Sequence, residues 1–292
     1  MKRLLVLSGK GGTGKTTIAA ALTRLANVRA AADCDVDAPN LHLVMDCKGE
    51  PEVADFTGGE KARIDPVVCT GCKECEVYCR FDAIYLMEGK AAVNEYVCEG
   101  CGVCQFVCPA NAISLDADIA GKRELYLGER VFSTASLKMG RGNSGKLVTE
   151  VKMAMLKHAP DCELAIIDGS PGIGCPVISS ISGMDLVLVV AEASESGISD
   201  LKRLVKTADT FQVKLAVCVN KYDTSPAHTR KIEEFCTANG LVFAGKIPFD
   251  REAVKAVNAG ITIADIDCIS QKAVKEIYKK VTELLKDEQN QI

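Results

Sequence analysis

Polar and apolar positions along the chain follow two rhythms. Short apolar runs without alternation, at residues 3–7, 164–167, 186–190, 215–219 and 242–247, are bounded by glycine or polar residues and predict buried strands. A further short strand is expected over 29–32. Helical composition fills the intervals at 15–26, 145–157, 199–210 and 229–239. Near the carboxyl end, 271–286 sets Val274, Ile277, Tyr278, Val281, Leu284 and Leu285 on one helical face. Strands that do not alternate, separated by helices, indicate an α/β fold whose mostly parallel sheet is covered by helices on both faces.

That rhythm stops between about residues 60 and 118. Cysteines, glycines and short hydrophobic pieces replace it, and the α/β pattern resumes afterwards. The expected organisation is one domain made of 1–59 and 119–292, with a small α+β domain, 60–118, inserted in it. The inserted segment repeats itself. Val68-Cys69-Thr70-Gly71-Cys72 through Ala83-Ile84-Tyr85-Leu86 recurs 29 residues later as Val97-Cys98-Glu99-Gly100-Cys101 through Ala112-Ile113-Ser114-Leu115.

Composition narrows the class. A net charge of −4 and the lack of a Lys/Arg-rich run give no electrostatic reason to expect nucleic acid or an anionic membrane as partner. Apolar stretches such as 185–191 fall well short of the roughly 20 residues of a membrane span. The first residues lack the apolar region and cleavage site of a secretion signal. Of the fifteen cysteines, eight lie in the repeated segment at regular spacing, which suggests metal rather than disulfides. The other seven sit in apolar contexts and read mostly as packed thiols. A reducing, cytoplasmic setting suits both groups.

Gly9-Lys10-Gly11-Gly12-Thr13-Gly14-Lys15-Thr16-Thr17 follows a predicted strand and opens a predicted helix, the setting of a phosphate-binding loop. Its glycines let backbone N–H groups turn toward phosphate oxygens, and the helix amino terminus adds partial positive charge. Lys15 would reach the terminal phosphates, and Thr16 would bind Mg2+. With Lys10, the run resembles the deviant Walker A motif of the MinD/ParA/nitrogenase-iron-protein class of ATPases. The resemblance implies ATP/ADP as nucleotide, a nucleotide-dependent homodimer, and a Lys10 that reaches the partner's nucleotide.

Asp33-Cys34-Asp35 with Pro39-Asn40-Leu41 is similar to that class's first switch, which would make Asp35 the residue that positions the attacking water. Ala165–Gly172 is similar to its second switch, with Asp168 near Mg2+. Val219-Asn220-Lys221 resembles the base-side Asn motif, and Ile247-Pro248-Phe249-Asp250 a late strand–Pro–x–Asp signature.

Cys69-x2-Cys72-x2-Cys75-x3-Cys79 and Cys98-x2-Cys101-x2-Cys104-x3-Cys108-Pro109 carry the bacterial ferredoxin spacing twice. Zinc sites are the alternative, but they more often pair Cys-x2-Cys units across longer spacers. Resemblance to the ferredoxins implies two [4Fe-4S] clusters. Cys69, Cys72, Cys75 and Cys108 would hold one, and Cys98, Cys101, Cys104 and Cys79 the other. Arg80 departs from the pattern, which has proline there.

As a whole the chain resembles MinD-superfamily ATPases that contain an inserted ferredoxin domain. The expected function is an ATP-hydrolysing carrier that couples nucleotide state to electron transfer toward a partner protein. Cluster assembly or delivery to an acceptor, and a redox-sensing ParA-type regulatory ATPase, are the alternatives. Cys175 falls seven residues after Asp168, where the nitrogenase iron protein carries an interface-cluster cysteine, but a second such cysteine has no evident counterpart.

Overall fold

The computed structural model describes residues 1–286 apart from Asp46, Lys48 and Pro160. In chain order the elements begin β1 (Lys2–Leu7), α1 (Lys15–Leu25), β2 (Ala30–Asp33), β3 (Glu52–Ile64), α2 (Glu74–Val77), β4 (Ile84–Met87) and β5 (Lys90–Val93). Next come α3 (Val103–Val107), β6 (Ile113–Tyr126), β7 (Val131–Leu137), α4 (Ser144–His158), β8 (Leu164–Asp168) and α5 (Cys175–Ile181). The remainder holds β9 (Leu186–Glu192), α6 (Glu195–Asp209), β10 (Lys214–Asn220), α7 (Pro226–Ala238), β11 (Val242–Ile247), α8 (Arg251–Asn258) and α9 (Ile269–Lys286). They form two compact units. The first is Met1–Val53, Arg123–Ser136 and Gly145–Ile292; the second is Ala54–Lys122 with Leu137–Ser144. The second unit thus starts before residue 60, and it takes in a later segment that composition does not set apart.

In the first unit the strands lie in the order β11-β10-β9-β1-β8-β2-β7, and each of these neighbouring pairs runs parallel. Leu4 on the central β1 faces Leu186 on one side and Ile166 on the other. The apolar runs lack alternation because both faces are covered. Leu4, Val6, Leu188 and Cys218 pack with Ile18 and Leu22 of α1 and with Val274, Ile277 and Val281 of α9. Leu5, Leu7, Val187 and Val189, equally buried, point the other way, where α6 lies against β9. The α6 helix starts at Glu195 rather than at residue 199, because Ser194 Oγ accepts from Gly197 N at 3.0 Å and caps it.

The fold also buries a cation. Lys152 of α4 donates to Ser180 O at 3.0 Å, Ser182 O at 2.7 Å and Ser179 O, the carbonyls that close α5. Burial pushes its pKa down, and these acceptors at a helix carboxyl end retain the charge. Among the described residues no helix is long and apolar enough to cross a membrane.

The second unit is organised by the 29-residue repeat down to single hydrogen bonds. Cys69 N donates to Asp65 O and Cys98 N to Asn94 O, both at 3.0 Å. Asp65 N reaches Ala112 O at 2.8 Å, and Asn94 N reaches Ala83 O at 2.7 Å, so each half closes on the other. The β4–β5 hairpin turns at Glu88 (φ +51°) and Gly89 (φ +79°), the two left-handed positions of a tight primed turn. The segment after β7 is held by Arg141. Its guanidinium bonds Glu95 Oε2 at 2.6 Å and lies 3.4 Å from Asp118 and 5.3 Å over the Tyr96 ring.

Two glycines of this unit differ in a way that can be measured. Both need positive φ, but a Cβ on Gly100 would meet Glu60 O at 2.1 Å, whereas one on Gly89 meets nothing within 4 Å. In thermal or denaturant unfolding of the full chain, Gly89→Ala should cost about 1 kcal/mol. Gly100→Ala should cost about 3 kcal/mol, because backbone must also move.

Candidate functional site

Strand β1 ends at Leu7, and the following loop closes at Gly14, whose φ of +91° opens α1. No side chain caps that helix, so its first N–H groups face the cleft beside it. The cleft encloses about 590 Å3 and is lined by Gly11, Gly12, Thr13, Gly14, Lys15, Thr16 and Thr17, together with Asp35, Asn220 and Pro248. Residues drawn from four distant stretches of sequence therefore meet at one place. Gly14 is required twice over, since a Cβ there would also lie 2.3 Å from Asn220 Nδ2. That amide donates to Thr13 O at 2.7 Å and ties the end of β10 to the phosphate loop.

Electrostatics converge on Lys15. Its ammonium lies 2.6 Å from Asp168 Oδ1, 3.6 Å from Asp35 Oδ2 and 3.4 Å from Thr16 Oγ1. Asp168 and Asp33 are fully buried and face one another in register on β8 and β2. Burial raises the pKa of Asp168, against the pull of Lys15. Burial also raises that of Asp35, which Lys15 likewise opposes. Asp168 Oδ2 has no hydrogen-bond partner in the protein, an orphaned acceptor beside Thr16.

Asp33 supports the turn that carries Asp35. Its carboxylate accepts from Asp35 N at 3.0 Å and from Asn40 N and Leu41 N, each at 2.9 Å. Burial, then the charge of Asp168, pushes its pKa up to about 7. The family resemblance gives a role to Asp35 alone, yet Asp33 is the more deeply buried of the two.

Two residues stand apart from expectation. Lys10 does not line the cleft; its ammonium is bonded to Glu192 and, at 3.0 Å, to Ser196 Oγ of its own chain. Cys175 is exposed at the first turn of α5, among the described residues not part of any cysteine cluster. The sequence reading missed α8, whose Ala253, Val254, Val257 and Asn258 form one wall of the cleft. A visible signal existed in Asp250, whose side chain accepts from Glu252 N at 2.9 Å and caps α8.

The eight cysteines of the second unit surround two separate pockets. Cys69, Cys72, Cys75 and Cys108 line one, with Gly71, Ala91 and Ala112; Cys79, Cys98, Cys101 and Cys104 line the other, with Gly100, Ala62 and Ala83. Backbone N–H groups point at the sulfurs. Ala112 N donates to Cys108 Sγ at 3.3 Å, Ala83 N to Cys79 Sγ at 3.4 Å, and Gly100 N to Cys98 Sγ at 3.4 Å. The Ala91 and Gly71 N–H groups hold the Cys69 thiol below its usual pKa. All eight are free thiols rather than disulfides. Arg80, next to Cys79, is exposed.

Comparison with known proteins fixes the family. The family model described as the CobQ/CobB/MinD/ParA nucleotide binding domain matches residues 4–263. The chain belongs to that family. A curated relative, an uncharacterized protein of Methanocaldococcus jannaschii, is 33% identical over 97% of each chain. An iron-sulfur cluster carrier protein of Pyrococcus abyssi is 26% identical over 98% of this chain and 87% of its own. Among solved structures, the septum site-determining protein MinD of Pyrococcus horikoshii OT3, complexed with Mg-ADP, superposes with a TM-score of 0.59 at 16% identity. It covers 100% of this chain and 99% of its own, and shows the shared fold. The chain is thus an ATPase of the MinD/ParA type.

Within this ATPase the Asp33 carboxyl makes a test by pH. Its folded pKa lies above the unfolded value of 3.8, so between the two the folded state holds the extra proton. Stability from this group is therefore present below about pH 4 and lost as pH rises toward 7. Denaturant unfolding at several pH values should show the stability difference between wild type and Asp33→Asn falling with pH across this window. A flat difference would contradict the buried, shifted carboxyl.

Proposed function

We propose that this protein is an ATP-hydrolysing iron–sulfur protein that couples nucleotide state to electron transfer through two [4Fe-4S] clusters to a partner protein. The observation that carries the proposal is the pair of four-cysteine pockets. Each pocket is built from three close-spaced cysteines of one half and the fourth of the other, as the ferredoxin spacing implies.

The donor sets fit that group. Four thiols with N–H groups aimed at sulfur suit a cluster whose charge is spread over bridging sulfide. Three close-spaced cysteines of one half joined by a fourth from the other favour a multinuclear cluster over zinc, whose sites more often pair Cys-x2-Cys units across longer spacers. When bound, each cluster supplies a site that accepts and releases one electron. The protein's share is to hold the sulfurs and to set the local charge.

In the nucleotide cleft, the phosphate-loop N–H groups and Lys15 bind the phosphates of ATP, and Asp35 holds the attacking water. Thr16 and the orphaned Asp168 Oδ2 fit Mg2+, which supplies further charge neutralisation when present. Lys10 acts in the nucleotide-dependent homodimer. To do so it leaves Glu192 and Ser196, so the site is complete only with a second copy.

A second reading is delivery of clusters to an acceptor. It is favoured by the relatives named iron-sulfur cluster carrier proteins, which align over nearly the whole chain. Anaerobic reconstitution decides between them. We expect about eight irons per chain, broad visible absorbance, and about four irons left in Cys72→Ala. Clusters that pass to an apo-acceptor on ATP addition would favour delivery; a protein holding zinc and no iron would sink both readings. Lys10→Ala should bind nucleotide at wild-type affinity yet lose ATP turnover and dimer formation. Unchanged turnover would remove the dimer from the mechanism.

A further inference from the structure

The 29-residue repeat extends further than its cysteines. Lys61 and Lys90 stand 29 residues apart, just ahead of Ala62 and Ala91. Lys61 Nζ donates to Cys98 O, and Lys90 Nζ donates to Cys69 O. Each lysine therefore reaches out of its own half and closes on the first cysteine of the other half.

Neighbouring atoms complete the grip. Ala62 N donates to Cys98 Sγ at 3.5 Å, so adjacent residues hold that cysteine by its carbonyl and its sulfur. The residue before each lysine meets the glycine of the same loop. A Cβ on Gly100 would lie 2.1 Å from Glu60 O, and one on Gly71 would lie 2.2 Å from Gly89 O. Residues 60–62 thus seat the loop at 98–100, and 89–91 seat the loop at 69–71. Both lysines are partly buried, so their charge is less screened than at an open surface.

Resting on the two-cluster reading, we propose that Lys61 and Lys90 are paired positioning residues. Each clamps the leading cysteine loop of the opposite half and places one positive charge beside the cluster held there. Adding an electron makes a cluster more negative, so a nearby cation favours the reduced form. Lys90 then serves the cluster on Cys69, Cys72, Cys75 and Cys108. Lys61 serves the cluster on Cys98, Cys101, Cys104 and Cys79.

The test uses the full chain in two forms. In reconstituted protein, redox titration followed by electron paramagnetic resonance should show Lys90→Gln lowering one midpoint potential and Lys61→Gln lowering the other, at wild-type iron content. In iron-free protein, Lys90→Met should speed amide hydrogen exchange at 69–75 but not at 98–104, and Lys61→Met the reverse. Potentials unchanged in all variants would overturn the charge role, and unchanged exchange would overturn the clamp. A wild type that takes up no iron defeats the cluster reading alone, because the exchange experiment still judges the clamp.

Discussion

One ammonium group holds the nucleotide domain together at its most costly point. Strands β2 and β8 run parallel in a register that sets Asp33 opposite Asp168, both without solvent. Two buried carboxylates side by side would repel one another and pay the full penalty of desolvation. Lys15, at the first turn of α1, supplies the opposing charge and reaches Asp35 as well. Strand register, the placement of α1 and the shape of the turn after β2 are therefore a single arrangement. Slipping the register by one residue would turn these carboxylates to the opposite face and strand the lysine.

The parts of the fold legible in sequence are those with a strong local signal. A strand buried on both faces must be continuously apolar, as β8, β9, β10 and the Leu4–Leu7 part of β1 are over most of their length, whereas the edge strand β11 exposes Val242 and Lys246. The phosphate loop was legible because Gly14 must adopt φ +91° and leave room for Asn220. The eight cysteines sort into two pockets by the crossing that their spacing implies.

What stayed hidden lacks such a signal. Strand β3 buries Phe56, Gly58 and Ala62 but leaves most of its thirteen residues exposed or partly so, and reads as polar loop. Helix α8 spans only the eight residues Arg251–Asn258 and buries only Ala256, so its apolar stripe of Ala253, Val254 and Val257 is too short to mark a helix by itself. Lys61 and Lys90 carry no local signal, since nothing nearby tells a lysine that it will meet a carbonyl 37 or 21 residues away. The partner of Lys10 was hidden for another reason. The family resemblance assigns that lysine to a second subunit, whereas in this chain Glu192 and Ser196 hold it.

The segment 137–144 has a consequence for how such a protein could be recombined. Because it belongs to the second unit, the backbone passes between the units four times, at 53/54, 122/123, 136/137 and 144/145. Its Arg141 grips Glu95, Asp118 and Tyr96. A contiguous gene fragment encoding only the cysteine repeat would leave those three residues without their common partner. The cysteine unit is thus not a portable cassette, and exchanging it for a relative's module requires moving both pieces, 54–122 and 137–144, together.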